Sequence, residues 1–186
     1  MIQIRTEQPE DASAIYQLTT LAFGASALGH HGEADLIGRI RAAHAQAISL
    51  VAVLDGSVVG HLLSSPASLR SKLGVVPGTA IGPISVLPTW QRQGCGGLLI
   101  TELLKVARQR DEPFVAVAGH RDYYPRFGFH PLLDFGIRHC FSGMPDEMFF
   151  IKFLAQLEPL QTDGSLLRYC DEFGPQNRFS NVDSMD

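Results

Sequence analysis

Gln91-Arg92-Gln93-Gly94-Cys95-Gly96-Gly97 is the stretch on which the reading of this chain turns. It follows the apolar run Ala80-Ile81-Gly82-Pro83-Ile84-Ser85-Val86-Leu87 and opens the amphipathic segment 98–110. Strand, glycine turn and helix, in that order, aim bare backbone amides at whatever lies ahead of the helix. A helix N-terminus carries unpaired N–H donors and a partial positive charge, so it suits the phosphates of a nucleotide-like ligand. Gly94, Gly96 and Gly97 remove side chains that would hold such a ligand away, and Arg92 adds a charge-assisted donor.

Two common phosphate-binding patterns do not fit. A nucleoside-triphosphate loop needs a Lys and a Ser or Thr after its last glycine, whereas Gly97 runs into Leu98 and Leu99. A dinucleotide fingerprint needs a third glycine where Leu99 stands. The segment instead resembles the acyl-coenzyme A signature of the GNAT superfamily of N-acyltransferases, Gln/Arg-x-x-Gly-x-Gly/Ala, met by Gln91, Gly94 and Gly96. About 30 residues on, Tyr123-Tyr124-Pro125-Arg126-Phe127-Gly128-Phe129 is similar to that superfamily's Tyr-x-x-x-Gly-Phe element. It follows the strand-like run 114–118, as the family pattern requires. The likeness extends over residues 2–153.

The resemblance implies an α/β (α+β) fold of GNAT type: a mixed, mostly antiparallel sheet with helices on both faces and a V-shaped cleft between two central strands. It implies acetyl-CoA as acyl donor, with its pyrophosphate on Gln91, Arg92, Gln93, Gly94, Cys95, Gly96 and Gly97. The pantetheine arm would pair strand-fashion with Ile84, Ser85 and Val86. A bulge in that strand, placed by the family at a point such as Gly82-Pro83, would free an amide at Ile84 or Val86 for the oxyanion. Tyr124, four residues before Gly128, matches the general-acid tyrosine. An amine would attack the thioester directly.

The residues themselves leave other roles open. Tyr124 also reads as a core aromatic whose hydroxyl caps a backbone group. No acid lies in residues 80–87, where many family members carry a glutamate, so the base is left between His120, Glu33 and none. Cys95 reads as a small wall residue rather than a nucleophile, because it occupies the unspecified position of the signature. The missing strand glutamate also keeps a second class in play: a non-catalytic acyl-CoA-binding sensor or regulatory module of the same fold.

Composition sets the outer bounds. The 186 residues are 45% hydrophobic and 18% charged, enough for one domain with a sizeable core. A net charge of -4 argues against a nucleic-acid or anionic-membrane surface; the resemblance implies a small-molecule or peptide amine as the acceptor. No apolar run reaches membrane-spanning length and the N-terminus lacks a secretory pattern. Three cysteines without a C-x-x-C pair fit a reducing compartment, so a cytoplasmic location is expected. His30-His31 and His139-Cys140 lack metal-ligand spacing, and no metal is expected. Dimers are frequent in the superfamily, which leaves a homodimer open.

Along the chain, the pattern predicts a strand at 2–5, a helix from Pro9, a second helix at 33–44, and a hairpin of 49–54 and 57–63 about Asp55-Gly56. Residues 24–32, 64–78 and 130–146 read as loops that would carry acceptor specificity. A helix over 98–110 is expected to turn Leu99, Leu103 and Val106 inward. Short closing strands are expected at 135–138 and 147–154. The acyltransferase domain is placed at 1–154, with 155–186 as an extension whose 165–173 stretch packs locally and whose end is loose.

Overall fold

The computed structural model describes residues 1–24, 32–155 and 164–176. Two compact units divide the chain: Met1–Ser65 with Ile81–Val106, and Pro66–Ala80 with Ala107–Asp186. Nine strands and three α-helices are found among the described residues. The described strand pairings are antiparallel except one, as expected for a mixed sheet.

In the first unit, β1 (Gln3–Thr6) pairs with β2 (Ser49–Leu54), and β2 with β3 (Ser57–Ser71). Asp55 and Gly56 take φ values of 48° and 79°, the left-handed pair that a two-residue hairpin turn requires. The register slips between Ala52 and Val53, which leaves Val59 as an extra residue in β3. Its carbonyl accepts the Leu87 amide at 3.0 Å, just past the end of β4 (Gly74–Val86).

Three helices flank this part of the sheet. A 3-10 turn at Pro9–Asp11 leads into α1 (Ala12–Gly24), which buries Ile15, Leu18 and Ala22. Helix α2 (Glu33–Ala43) buries Leu36, Ile37 and Ile40, with Glu33 and Asp35 favouring the positive end of its dipole. Helix α3 (Cys95–Gln109) begins earlier than the expected Leu98. Its first turn holds Gly96 and Gly97, poor helix formers that packing overrides. Its inward stripe is Leu99, Ile100, Leu103, Leu104 and Ala107, whereas Val106 is only half-buried. Adjacent strand residues point to opposite faces. Gly60 of β3 meets Cys95 and Leu99 of α3, and His61 lies with Arg41 of α2 in one polar cluster. Helices α2 and α3 therefore cover opposite faces of β3.

Residues 64–78 are not a loop. Strand β3 continues to Ser71 and β4 starts at Gly74, so these residues build one long hairpin. Ser64, Ser65 and Pro66 look loop-like in sequence, yet Ser64 and Ser65 are buried. A strand covered on both faces shows no alternation by which to recognise it.

The second unit packs an aromatic core on β5 (Phe114–Ala118) and β8 (Phe149–Phe153), which pair from Phe114↔Phe153 to Ala118↔Phe149. Short β6 (His130–Pro131) adds to β8. The expected strand at 135–138 is instead a 3-10 turn, Leu132–Phe135, followed by β7 (Arg138–His139). Gly136 ends that turn at φ 66°, so the chain reverses where an extended run was expected. Strand β9 (Leu166–Tyr169) pairs with β3 residues 67–70 and runs parallel to β7. Beyond it, the buried Gln176 carboxamide receives the Tyr169 amide and the Cys140 thiol, each at 2.8 Å, and donates to Tyr169 O and Cys170 O. Residues 164–176 are thus built into the sheet. Residues 177–186 and 25–31, the latter including most of the first expected specificity loop and His30-His31, lie outside the described residues. No helix among the described residues is long and apolar enough to cross a membrane.

Candidate active site

The glycine turn is held by its own side chains. Gln91 donates from Nε2 to Val86 O at 3.1 Å, and Gln93 donates to Thr89 O at 2.9 Å. These bonds tie the loop back to the end of β4 and to the 3-10 turn Pro88–Trp90. Residues 91–94 are exposed, and the Arg92 and Gly94 backbones take φ values of 60° and 87°. A Cβ at Gly94 would meet nothing within 4 Å, so glycine serves the dihedral there and not the space.

Leu98 N–H is the first amide of α3 to find a carbonyl, Gly94 O at 3.0 Å. The preceding amides of Cys95, Gly96 and Gly97 are left without an acceptor among the described residues, as helix geometry dictates. Cys95 is buried, and a Cβ at Gly60 would lie 2.8 Å from its Sγ. Burial pushes its thiol up from the usual cysteine value, so it stays protonated and acts as a spacer between α3 and β3. Gly60 was not singled out in the sequence. Its only signal is a glycine inside a strand pattern, which marks close approach of another backbone.

On β4 the side chains alternate. Ser85 is buried and its hydroxyl shares a hydrogen bond of 2.9 Å with Thr19 of α1, while Ile84 and Val86 are half-exposed. Any contact of Ser85 with a ligand would therefore be through its backbone. Thr19 carried no sequence signal, since a Thr on an inward helix face is common.

Tyr124 lies in the second unit, at the head of a 3-10 turn, Tyr124–Phe127, that Gly128 closes at φ 77°. It is 5% exposed and its ring stands edge-on to Tyr123 and Phe129, at centroid distances of 5.2 and 5.9 Å. Gly119, just past β5, lets the ring lie against bare backbone, where a Cβ would fall 2.6 Å from a ring carbon. Burial first, and the Tyr123 hydroxyl second, push the Tyr124 phenol well above its ordinary value. At neutral pH the phenol is therefore protonated. Both roles expected of Tyr124, core aromatic and acid, start from this buried phenol.

The two base candidates differ in setting. His120 is exposed, and its carbonyl accepts the Tyr123 amide at 3.0 Å. Glu33 is half-buried at the head of α2 and accepts the Gly32 amide at 3.1 Å. His139 and Cys140 point apart, as expected: His139 reaches Asp146 at 2.9 Å and Cys140 reaches Gln176.

The acetyltransferase (GNAT) domain family matches residues 3–132. This chain belongs to that family. The GNAT chain is 36% identical over 123 residues to YjhQ, an uncharacterised N-acetyltransferase of Escherichia coli (strain K12). The aligned stretch spans 65% of the chain and 65% of that relative. Among solved structures it is similar to a GNAT family acetyltransferase from Brucella melitensis in complex with acetyl-CoA, at 32% identity and a TM-score of 0.74. That alignment covers 94% of the GNAT chain and 99% of the other. A second is the N-acetyltransferase YhbS from Escherichia coli in complex with CoA, at 26% identity and a TM-score of 0.79, covering 92% and 91%.

Proposed function

We propose that this chain moves an acetyl group from acetyl-CoA to a primary amine of a small molecule or peptide. The observation that carries the reading is the head of α3, where the amides of Cys95, Gly96 and Gly97 stand without acceptors among the described residues, behind an exposed Arg92. These donors fit a pyrophosphate, and the relatives from Brucella melitensis and Escherichia coli were solved with acetyl-CoA and CoA. Gln91, Gln93 and Gly94 shape the loop, and the backbone of Ile84, Ser85 and Val86 would take the pantetheine arm.

In the reaction the amine nitrogen forms a bond to the thioester carbonyl carbon and the C–S bond breaks. An amide at Ile84 or Val86 would stabilise the oxyanion. Tyr124 would donate its hydroxyl proton to the leaving thiolate, and the ammonium proton passes to His120, Glu33 or water. Tyr124→Phe then lowers kcat by about 100-fold with acetyl-CoA affinity kept.

The absence of an acid in residues 80–87 favours one second reading, an acyl-CoA sensor without turnover. Two measurements separate them. Acetyl-CoA raises the unfolding temperature under both readings, and Arg92→Glu, an exposed change beside the phosphates, weakens that effect about ten-fold in concentration. Free thiol released over a panel of amines marks the enzyme. Stabilisation without release marks the sensor, and no stabilisation at all removes the donor site.

A further inference from the structure

Lys152 is a charged residue of β8 that no step above uses, and it is half-buried. Its ammonium donates to Phe127 O at 2.6 Å, the last carbonyl of the turn that carries Tyr124. A Cβ at Gly128 would strike that same ammonium, so the glycine of the Tyr-x-x-x-Gly-Phe element leaves room for it as well as taking the left-handed φ of 77°. Lys152 is anchored in turn, because it sits opposite Val115 in the β5–β8 ladder. The same β5 leads to Gly119, on which the Tyr124 ring rests.

We propose that Lys152 is a positioning residue for Tyr124: by holding the Phe127 carbonyl to β8 it closes the 124–127 turn and fixes where the phenol stands. The inference rests on the acid role given to Tyr124 above. A charge-assisted bond to a turn carbonyl is about twice as strong as a neutral one, so it can pin the end of a short turn. Arg126, by contrast, stacks over Tyr123 at 4.5 Å and Phe127 at 5.8 Å and donates to Tyr123 O, staying within the turn and its flank. Lys152 joins this turn to the sheet by a charge. Gly128→Ala, which displaces the ammonium, should therefore act in the same direction as removing Lys152.

The test uses the full chain with labelled tyrosine rings, together with Lys152→Met, Lys152→Arg and Tyr124→Phe. Of the four tyrosines, the ring signal lost in Tyr124→Phe is that of Tyr124. Lys152→Met is expected to move that signal and leave the Tyr16 signal of α1 in place, and Lys152→Arg to restore it. With acetyl-CoA and the panel amine turned over fastest, Lys152→Met lowers kcat about ten-fold at unchanged KM for acetyl-CoA, as a slightly misplaced catalytic group would. It adds no further loss in the Tyr124→Phe background. An unmoved Tyr124 signal, or a full extra loss of kcat in the double variant, overturns the proposal. A normal Tyr124→Phe loss beside intact Lys152→Met turnover removes Lys152 alone, whereas an unaffected Tyr124→Phe removes the acid assignment and this inference with it. If Lys152→Met does not fold, Lys152→Gln carries the same comparison.

Discussion

The interiors of the two units are held by different chemistry. In the first, Glu7, Arg41, Ser49 and His61 form one polar cluster. Arg41 pairs with Glu7 at 2.7 Å, Ser49 donates to Glu7, and the Ser49 hydroxyl meets His61 Nε2 at 2.9 Å. The Glu7–His61 separation of 3.6 Å is too long for a hydrogen bond, so Ser49 relays between them. His61 is fully buried and its Nδ1 has no partner among the described residues. In the second unit, rings do the work: Phe135 meets Phe153 at 5.0 Å, Tyr169 meets Phe173 at 5.0 Å, and His139 stacks on Phe149 at 3.7 Å. Aromatic packing depends little on pH, whereas a buried charge cluster cannot escape it. The first unit should answer to acid and the second to cavities.

The strongest way to probe the contrast is Phe114→Ala in the second unit. Phe114 is fully buried with Gly78 against its ring, so the loss should be about 3–5 kcal/mol in urea unfolding at neutral pH. A loss under about 1 kcal/mol would show that the rings carry less than their burial implies.

Overpacking in the first unit comes next. Gly60→Ala places a methyl on Cys95 Sγ and should cost about 1–3 kcal/mol, most of it regained when Cys95→Ala is added. Without that recovery, the strand–helix contact is not what sets Gly60. Thr19→Val is smaller: it strips the buried Ser85 hydroxyl of its partner and should cost about 1 kcal/mol, measured the same way.

The smallest effect is a slope. Burial lowers the His61 pKa below its ordinary 6.5, outweighing the opposing pull of Glu7. The unfolded chain therefore binds a proton near 6.5 that the folded chain refuses, and stability falls as pH drops below 6.5 toward the folded value. Burial alone would raise the Glu7 pKa, but the nearby His61, the Ser49 hydrogen bond and the Arg41 charge hold it below 4.5, so a second loss follows in stronger acid. His61→Gln should flatten the first part of the curve and shrink the second, which Ser49 and Arg41 still sustain. An unchanged slope would show that the cluster does not set the acid response.

How much of this was legible depended on whether a feature was local. Asp55-Gly56, the strand at 114–118 and the glycine turn after β4 announce themselves through turn chemistry and nearby periodicity. The donor-loop residues and Tyr124 could be named because both motifs are contiguous. Strand β9 could not be paired in advance, because its partners 67–70 lie about a hundred residues earlier in a run that itself read as loop. Lys152 and Gly128, Gly60 and Cys95, Thr19 and Ser85 were hidden for the same reason: each pair meets only after folding. Helix α3 began earlier than its glycines suggested because burial of Cys95 outweighs their propensity.

The late position of β9 bears on how the protein is made. Until Leu166–Tyr169 has emerged from the ribosome, the edge of β3 at 67–70 stays bare. An uncovered edge invites pairing with other chains, so premature termination before Tyr169 would yield a sticky product rather than a shortened enzyme. For this molecule the arrival of β9 is what closes that edge.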